Sequence, residues 1–233
     1  RNCKSLKYVI LPPSLTCIGI GAFYNCSSLA HIIIPPSIKR IFTYTFSNCS
    51  SLLKISIPSS INLIADSSFE NCTSHEKIIF RKPSSLQKIC AYSFSGCLKL
   101  KKISIPSSTE KIEQYAFNNC KSLQQIMMPK SLTLIGDYAF YHCFELKKIS
   151  IPSKVTYIGD YAFEFCSSLK KITIPLSVIH YYDNILENCK SITKITILAP
   201  ISSCGYDSFK NCFELTNITL PSTLTVIEKN SFF

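Results

Sequence analysis

Apolar and polar positions alternate along this chain with a fixed beat. A stretch of the form L-x-x-I-x-I recurs, as at Leu100, Ile103 and Ile105 or Leu169, Ile172 and Ile174. Alternation places those aliphatics on one face of a short strand. A proline follows, as at Pro58, Pro106, Pro152 and Pro175. It lacks an amide donor and is expected to end the strand. Two further aliphatics, such as Val155 and Ile158, predict a second short extended segment. A small residue then precedes Phe, three positions before a cysteine, as at Phe46, Phe69, Phe117 and Phe163. That phrase predicts a tight helical turn whose ring plugs a coil, and burying a Phe ring contributes roughly 1.5–3 kcal/mol.

The cysteines mark the period. Cys3, Cys26, Cys49 and Cys72 stand 23 residues apart, Cys97 follows after 25, and Cys120, Cys143, Cys166, Cys189 and Cys212 return to 23. Ten repeats therefore fill residues 1–233, a single array with no room for another domain. One unit cannot bury its apolar face alone, whereas stacked units can. The expectation is a solenoid of about ten turns, on the order of 45–50 Å long at a strand spacing of 4.7–4.9 Å.

Two repeats depart strongly from the pattern. In the fourth, His75 replaces the Leu, and two residues are inserted around Arg81 and Lys82. The eighth has Ile185 and Leu186 where Ala-Phe is expected, after the run from His180 to Asn184, and the ninth moves its proline to Pro200. Drift is the expectation, because insertions in such arrays map to loops; a local bend that shapes a binding surface is the alternative. Arg1 directly precedes a repeat cysteine and Phe233 follows a plug, so neither end carries a polar cap. Solenoids normally need such caps, so a fragment of a longer array is expected, or an array with atypical caps, with end-to-end association through its open end turns.

The pattern C-x-x-L-x-x-I-x-I-P-x-x-(L/I/V)-x-x-I-x-x-x-A-F resembles the BspA-type class of leucine-rich repeats, and the match covers nearly the whole chain. The resemblance implies a right-handed leucine-rich-repeat solenoid with a parallel β-sheet on its concave face, and short strands or helical turns elsewhere. It also implies a cell-surface or secreted protein with a role in adhesion, including attachment to extracellular-matrix protein. The motif says little about the ligand, and a cytoplasmic location stays open.

The net charge is +11, and basic chains often meet acidic partners. Five positions after successive cysteines stand Tyr8, His31, Lys54, Lys77, Lys102, Gln125, Lys148, Lys171, Lys194 and Asn217, outward by alternation, and the candidates among them are His31 and the six lysines. Two positions later the same face carries Ser56, Ser104, Ser150, Thr173, Thr196 and Thr219. Like charges one strand apart repel, so an acidic partner would relieve them. This is the candidate binding face, weighed against a solvated lysine row that only keeps the sheet soluble. A second column, two residues before Phe, holds Tyr44, Tyr92, Tyr115, Tyr138 and Tyr161. Tyr is favoured at binding hot spots, yet half-buried packing over the Phe plugs explains the column as well.

Of thirteen cysteines, ten sit in the repeat column, and Cys17, Cys90 and Cys204 fall in the second apolar segment. Once per turn at an interior corner, Cys behaves as a small buried apolar residue. Free thiols are expected, with disulfides between stacked cysteines as the alternative. No C-x-x-C pair occurs, and His31, His75, His142 and His180 occupy four different repeat positions, so no metal site is expected. The sequons at Asn25, Asn48 and Asn71 are by-products of the phrase at the repeat corner; a fourth is at Asn217.

Phosphate-loop, zinc-protease and nucleophile-elbow motifs are absent. A regular solenoid sets like residues in rows, whereas catalysis needs unlike ones at a point. The expectation is a binding module, not an enzyme, with no cofactor and no transmembrane segment. The leading partner is a protein, an extracellular-matrix protein among the options. An acidic, sulfated glycan on the lysine row is the alternative, and a structural spacer is another. Nucleic acid is not expected, since no basic-aromatic platform is present.

Overall fold

The computed structural model describes residues 1–181 and 184–233, with His180 and Tyr181 by their backbone alone. Tyr182 and Asp183, from the irregular run of the eighth repeat, lie outside the described residues. The chain winds as a β-solenoid of repeats about 23 residues long, with parallel strands on its sides. The first apolar segments pair in register: Lys54–Ile57 with Lys77–Phe80, Lys102–Ser104 with Gln125–Met127, and Lys171–Ile174 with Lys194–Ile197. Along Lys171–Ile174 the residues alternate exposed and buried, as the pleat requires.

The second apolar segment builds the longer unbroken sheet. Seven two-residue strands run in parallel from Arg40–Ile41 to His180–Tyr181. The first segment builds a second parallel ladder. That ladder is interrupted after Lys77–Phe80 and again beyond Gln125–Met127, where a single bridge joins Gln125 to Lys148. The inserted residues account for the first break. Arg81 N–H donates to Ile57 O at 2.9 Å, and its Nε donates to Ser56 Oγ at 2.8 Å. The extra length is absorbed before Lys88–Ile89, which pairs with both Leu63–Ile64 and Lys111–Ile112.

Phe rings stack through the core. From Phe23 to Phe163, successive centroids lie 5.2–5.5 Å apart and the planes differ by 1–14°. Leu186 interrupts this column, and Phe209 resumes it against Phe232. The plug is wholly buried in eight turns, Phe46 to Phe163, Leu186 and Phe209, so about eight turns are packed on both sides. The cysteines lie beside it, and all thirteen are free thiols. The eight repeat-column thiols from Cys49 to Cys212 each donate to the plug carbonyl of the preceding turn, as Cys49 Sγ does to Phe23 O at 3.1 Å and Cys189 Sγ to Phe163 O at 3.3 Å. Small size and a weak donor are both used. Cys3 and Cys17, by contrast, are exposed.

The helical turn expected around the plug does not form, and no helix occurs among the described residues. The corner is instead built on two left-handed residues, five and one before the cysteine. Tyr115 (φ 56°) and Asn119 (φ 58°) are typical. Between them, alternate amides leave for the next turn: Tyr115 N–H to Asp137 O, Phe117 N–H to Ala139 O and Asn119 N–H to Tyr141 O, all 2.8–2.9 Å. The amides next to them keep local bonds, Asn118 N–H to Tyr115 O at 3.1 Å and Cys120 N–H to Phe117 O at 3.3 Å, so local turns alternate with pairing across turns. Asn tolerates the left-handed region because its short side chain bonds locally, which explains the recurring Asn-Cys phrase.

His75 occupies the Leu column, fully buried and edge-on to Phe69 at 6.1 Å, with no hydrogen-bond partner on either ring nitrogen. Burial pushes its pKa down to about 4. Its folded pKa is below the unfolded value near 6.5, so the unfolded chain binds the extra proton first. Stability should therefore fall as pH drops from about 6.5 to about 4, by roughly 3 kcal/mol in total. His75→Leu should remove this slope in urea denaturation series at several pH values; an unchanged slope would mean that His75 is not held neutral. Phe117→Ala in mid-stack should cost about 3–5 kcal/mol by the same denaturation measurement.

Candidate binding face

The first-segment strands set the lysine row in place. His31, Lys54, Lys77, Lys102, Lys148, Lys171 and Lys194 are all exposed, each beside a buried aliphatic neighbour or, at Lys148, the half-buried Ile149. Lys54 pairs with Lys77 and Lys171 with Lys194, while Gln125 stands between Lys102 and Lys148. None of these six lysines joins a salt bridge among the described residues. Glu214 is engaged with Lys170 at 3.1 Å, and Glu145 accepts from Gln124 at 2.9 Å, while Glu76 beside Lys77 is exposed.

The adjoining outward column is less uniform than its Ser and Thr members suggested. Ile10, Ile33, Ile79 and Met127 occupy the same register, exposed at 86, 84, 37 and 55%. Reading the column for polar residues alone passed over these four, although repeat counting places them there. Two grooves open on this face. One, of about 910 Å³, is lined by Lys77, Ile79, Lys82, Lys102, Met127 and Lys130 among others. Its neighbour, of about 1450 Å³, is lined by Met127, Lys130, Lys147, Lys148, Lys170 and Lys171 among others. No Asp or Glu lines either groove.

The tyrosine column lies at the left-handed corner. Tyr44, Tyr92, Tyr115, Tyr138 and Tyr161 all have φ of 54–57°, a conformation costly for a bulky side chain. Tyr92, Tyr115, Tyr138 and Tyr161 form a half-buried stack, with centroids 4.6–4.8 Å apart. The turn spacing matches an offset aromatic stack. Tyr44 is cut off from it by Ser67 and stays exposed, edge-on to Tyr24. Desolvation, aided by Tyr115 and Tyr161, pushes the Tyr138 phenol up to about 12. Further along, His142 and Phe165 take the left-handed place usually held by Asn and pack together at 4.7 Å. Beside them Glu164 is buried, and burial followed by Glu187 raises its carboxyl to about 7.

Among the described residues, Asp66, Cys90 and Glu113 bring three donor atoms within 4.8 Å of one another. The Lys88 ammonium already sits 2.7 Å from Glu113, so a cation is built into that group. No histidine joins it. The lysine and tyrosine columns thus form two separate rows, and neither gathers a nucleophile, base and acid at one point.

The model of the BspA type leucine rich repeat region matches the chain over residues 1–97, 53–155, 80–180 and 133–233. No curated protein matches it. A leucine-rich repeat protein from Bacteroides ovatus is 29% identical, over 99% of this chain and 77% of that one, with a TM-score of 0.57. A leucine rich cell surface protein from Faecalibacterium prausnitzii is 26% identical, over 94% and 74%, with a TM-score of 0.50. The pneumococcal vaccine antigen PcpA shares the fold at 22% identity, over 97% and 64%, with a TM-score of 0.58.

The corner geometry has a test of its own. At φ 56° an alanine carries the left-handed penalty that glycine escapes. Tyr115→Ala should be less stable than Tyr115→Gly by about 1 kcal/mol, the reverse of the usual order. Thermal or urea unfolding of the two variants decides it.

Proposed function

This chain belongs to the BspA-type leucine-rich repeat family, and from that premise we propose that it is a protein-binding module serving adhesion at a cell surface. The cell-surface Faecalibacterium relative supports the location. No helix among the described residues is long and apolar enough to cross a membrane. The observation that carries the binding reading is the lysine face: a row of unpaired ammonium groups over two grooves with no acidic lining. Its charges repel along the row, and a partner bearing carboxylates relieves that repulsion. Families of this repeat are typically binding modules rather than enzymes, and solenoids offer extended surfaces for the purpose.

A sulfated glycan would meet the same charge, and salt separates the two. Binding to immobilised extracellular-matrix proteins and to heparin should be measured at low and at physiological salt. A protein contact that buries apolar surface survives at physiological salt, whereas a charge-only contact is screened. Lys102→Glu, Lys148→Glu and Lys171→Glu together should weaken protein binding by more than about 100-fold, near 1 kcal/mol per reversed charge. Binding that survives this triple change would remove the lysine face from the mechanism. Heparin binding at low salt with no protein ligand at physiological salt would overturn the adhesive reading.

A further inference from the structure

The lysine row has one gap, at Gln125, and the structure puts an apolar residue beside it. Met127 shares that strand and is 55% exposed, whereas its partner in the preceding strand is Ser104. Both grooves are lined by Gln125, Met127, Met128 and Lys130, so Met127 lies where they meet. Positive charge flanks it on both sides, from Lys77 and Lys102 in one groove and Lys148 and Lys171 in the other. Where the row lacks its lysine, the face therefore presents Met127, more exposed than Ile79 beside Lys77 (55 against 37%), between basic flanks, with Lys130 lining both grooves.

From this order we infer that the face takes an extended protein strand presenting acidic, apolar and acidic side chains in turn. The inference rests on the protein-binding reading above and specifies the chemistry of the ligand. Dimensions agree with it. Lys77 to Lys171 spans four strand spacings, about 19 Å, which is the reach of about six extended residues. Every second side chain of such a strand faces the same way, so three point at the solenoid. The outer two meet ammonium groups and the middle one covers Met127. A flexible thioether accommodates varied apolar partners. A sulfated glycan answers the charge but has no apolar side chain to lay over Met127. The ligand is held by side chains along the face, across the paired strands Lys102–Ser104 and Gln125–Met127.

The probe is a fluorescent peptide, Glu-Asp-Ser-Leu-Ser-Glu-Asp, with an analogue carrying Ser for its Leu, and heparin as a third ligand. Binding to the whole chain is read by anisotropy at physiological salt. The leucine peptide should bind at least about tenfold more tightly than its serine analogue, as expected for burying a leucine against Met127. Met127→Ser, which restores the residue type of the Ser104 and Ser150 column, should erase that preference, with unfolding midpoints confirming the fold. Equal affinity for both peptides, or a preference that survives Met127→Ser, would overturn the inference. So would heparin binding accompanied by no peptide binding. If neither peptide binds while a matrix protein does, the strand inference fails and the protein-binding reading stands. If no protein or peptide binds, both fail.

Discussion

Everything in this molecule depends on one constraint: a turn of about 23 residues cannot cover its own apolar face and must be covered by the next. The phenylalanine column is where this is settled. Rings 5.2–5.5 Å apart and nearly coplanar fix the rise of each turn, and that rise brings strand segments within pairing distance. The thiols complete the arrangement, because each plug carbonyl accepts from the cysteine amide of its own turn and from the thiol of the next. Alanine would fit the space without supplying the donor.

The same spacing governs the surface. Corner residues are driven into left-handed conformations so that alternate amides can reach the next turn. Asn meets that demand cheaply, while Tyr meets it by stacking on Tyr. The tyrosine ladder is therefore first a structural device, and its half-buried rings fit packing better than free display. Irregular repeats localise their effects. His75 is accommodated in the core as a neutral ring, and the Arg81 insertion interrupts one sheet while leaving the other continuous.

On the lysine face, repetition becomes a chemical surface. Side chains at one repeat position form a row, and a departure within the row becomes a landmark. Gln125 and Met127 are such a departure, and they give the face an order along its axis that a uniform row of charge would lack. Recognition by a solenoid of this kind rests on the sequence of rows and gaps, and not on convergence at a point.

The sequence by itself determined the period, the array, the family resemblance, the buried aliphatic and Phe columns and the outward lysines, because side chains one repeat apart must share a position once turns stack. It also contained Ile79 and Met127 in the outward column, for a reader who counted apolar members as well as polar ones. Only the tertiary structure decided which sheet runs unbroken, that the corners are left-handed and not helical, that the thiols cap the plug carbonyls, and where the grooves lie. Those features depend on backbone angles and on bonds between residues 22 to 26 positions apart, such as Phe117 to Ala139 and Cys49 to Phe23. Periodicity shows which residues are neighbours across turns, but carries no information on how their backbones are turned towards one another.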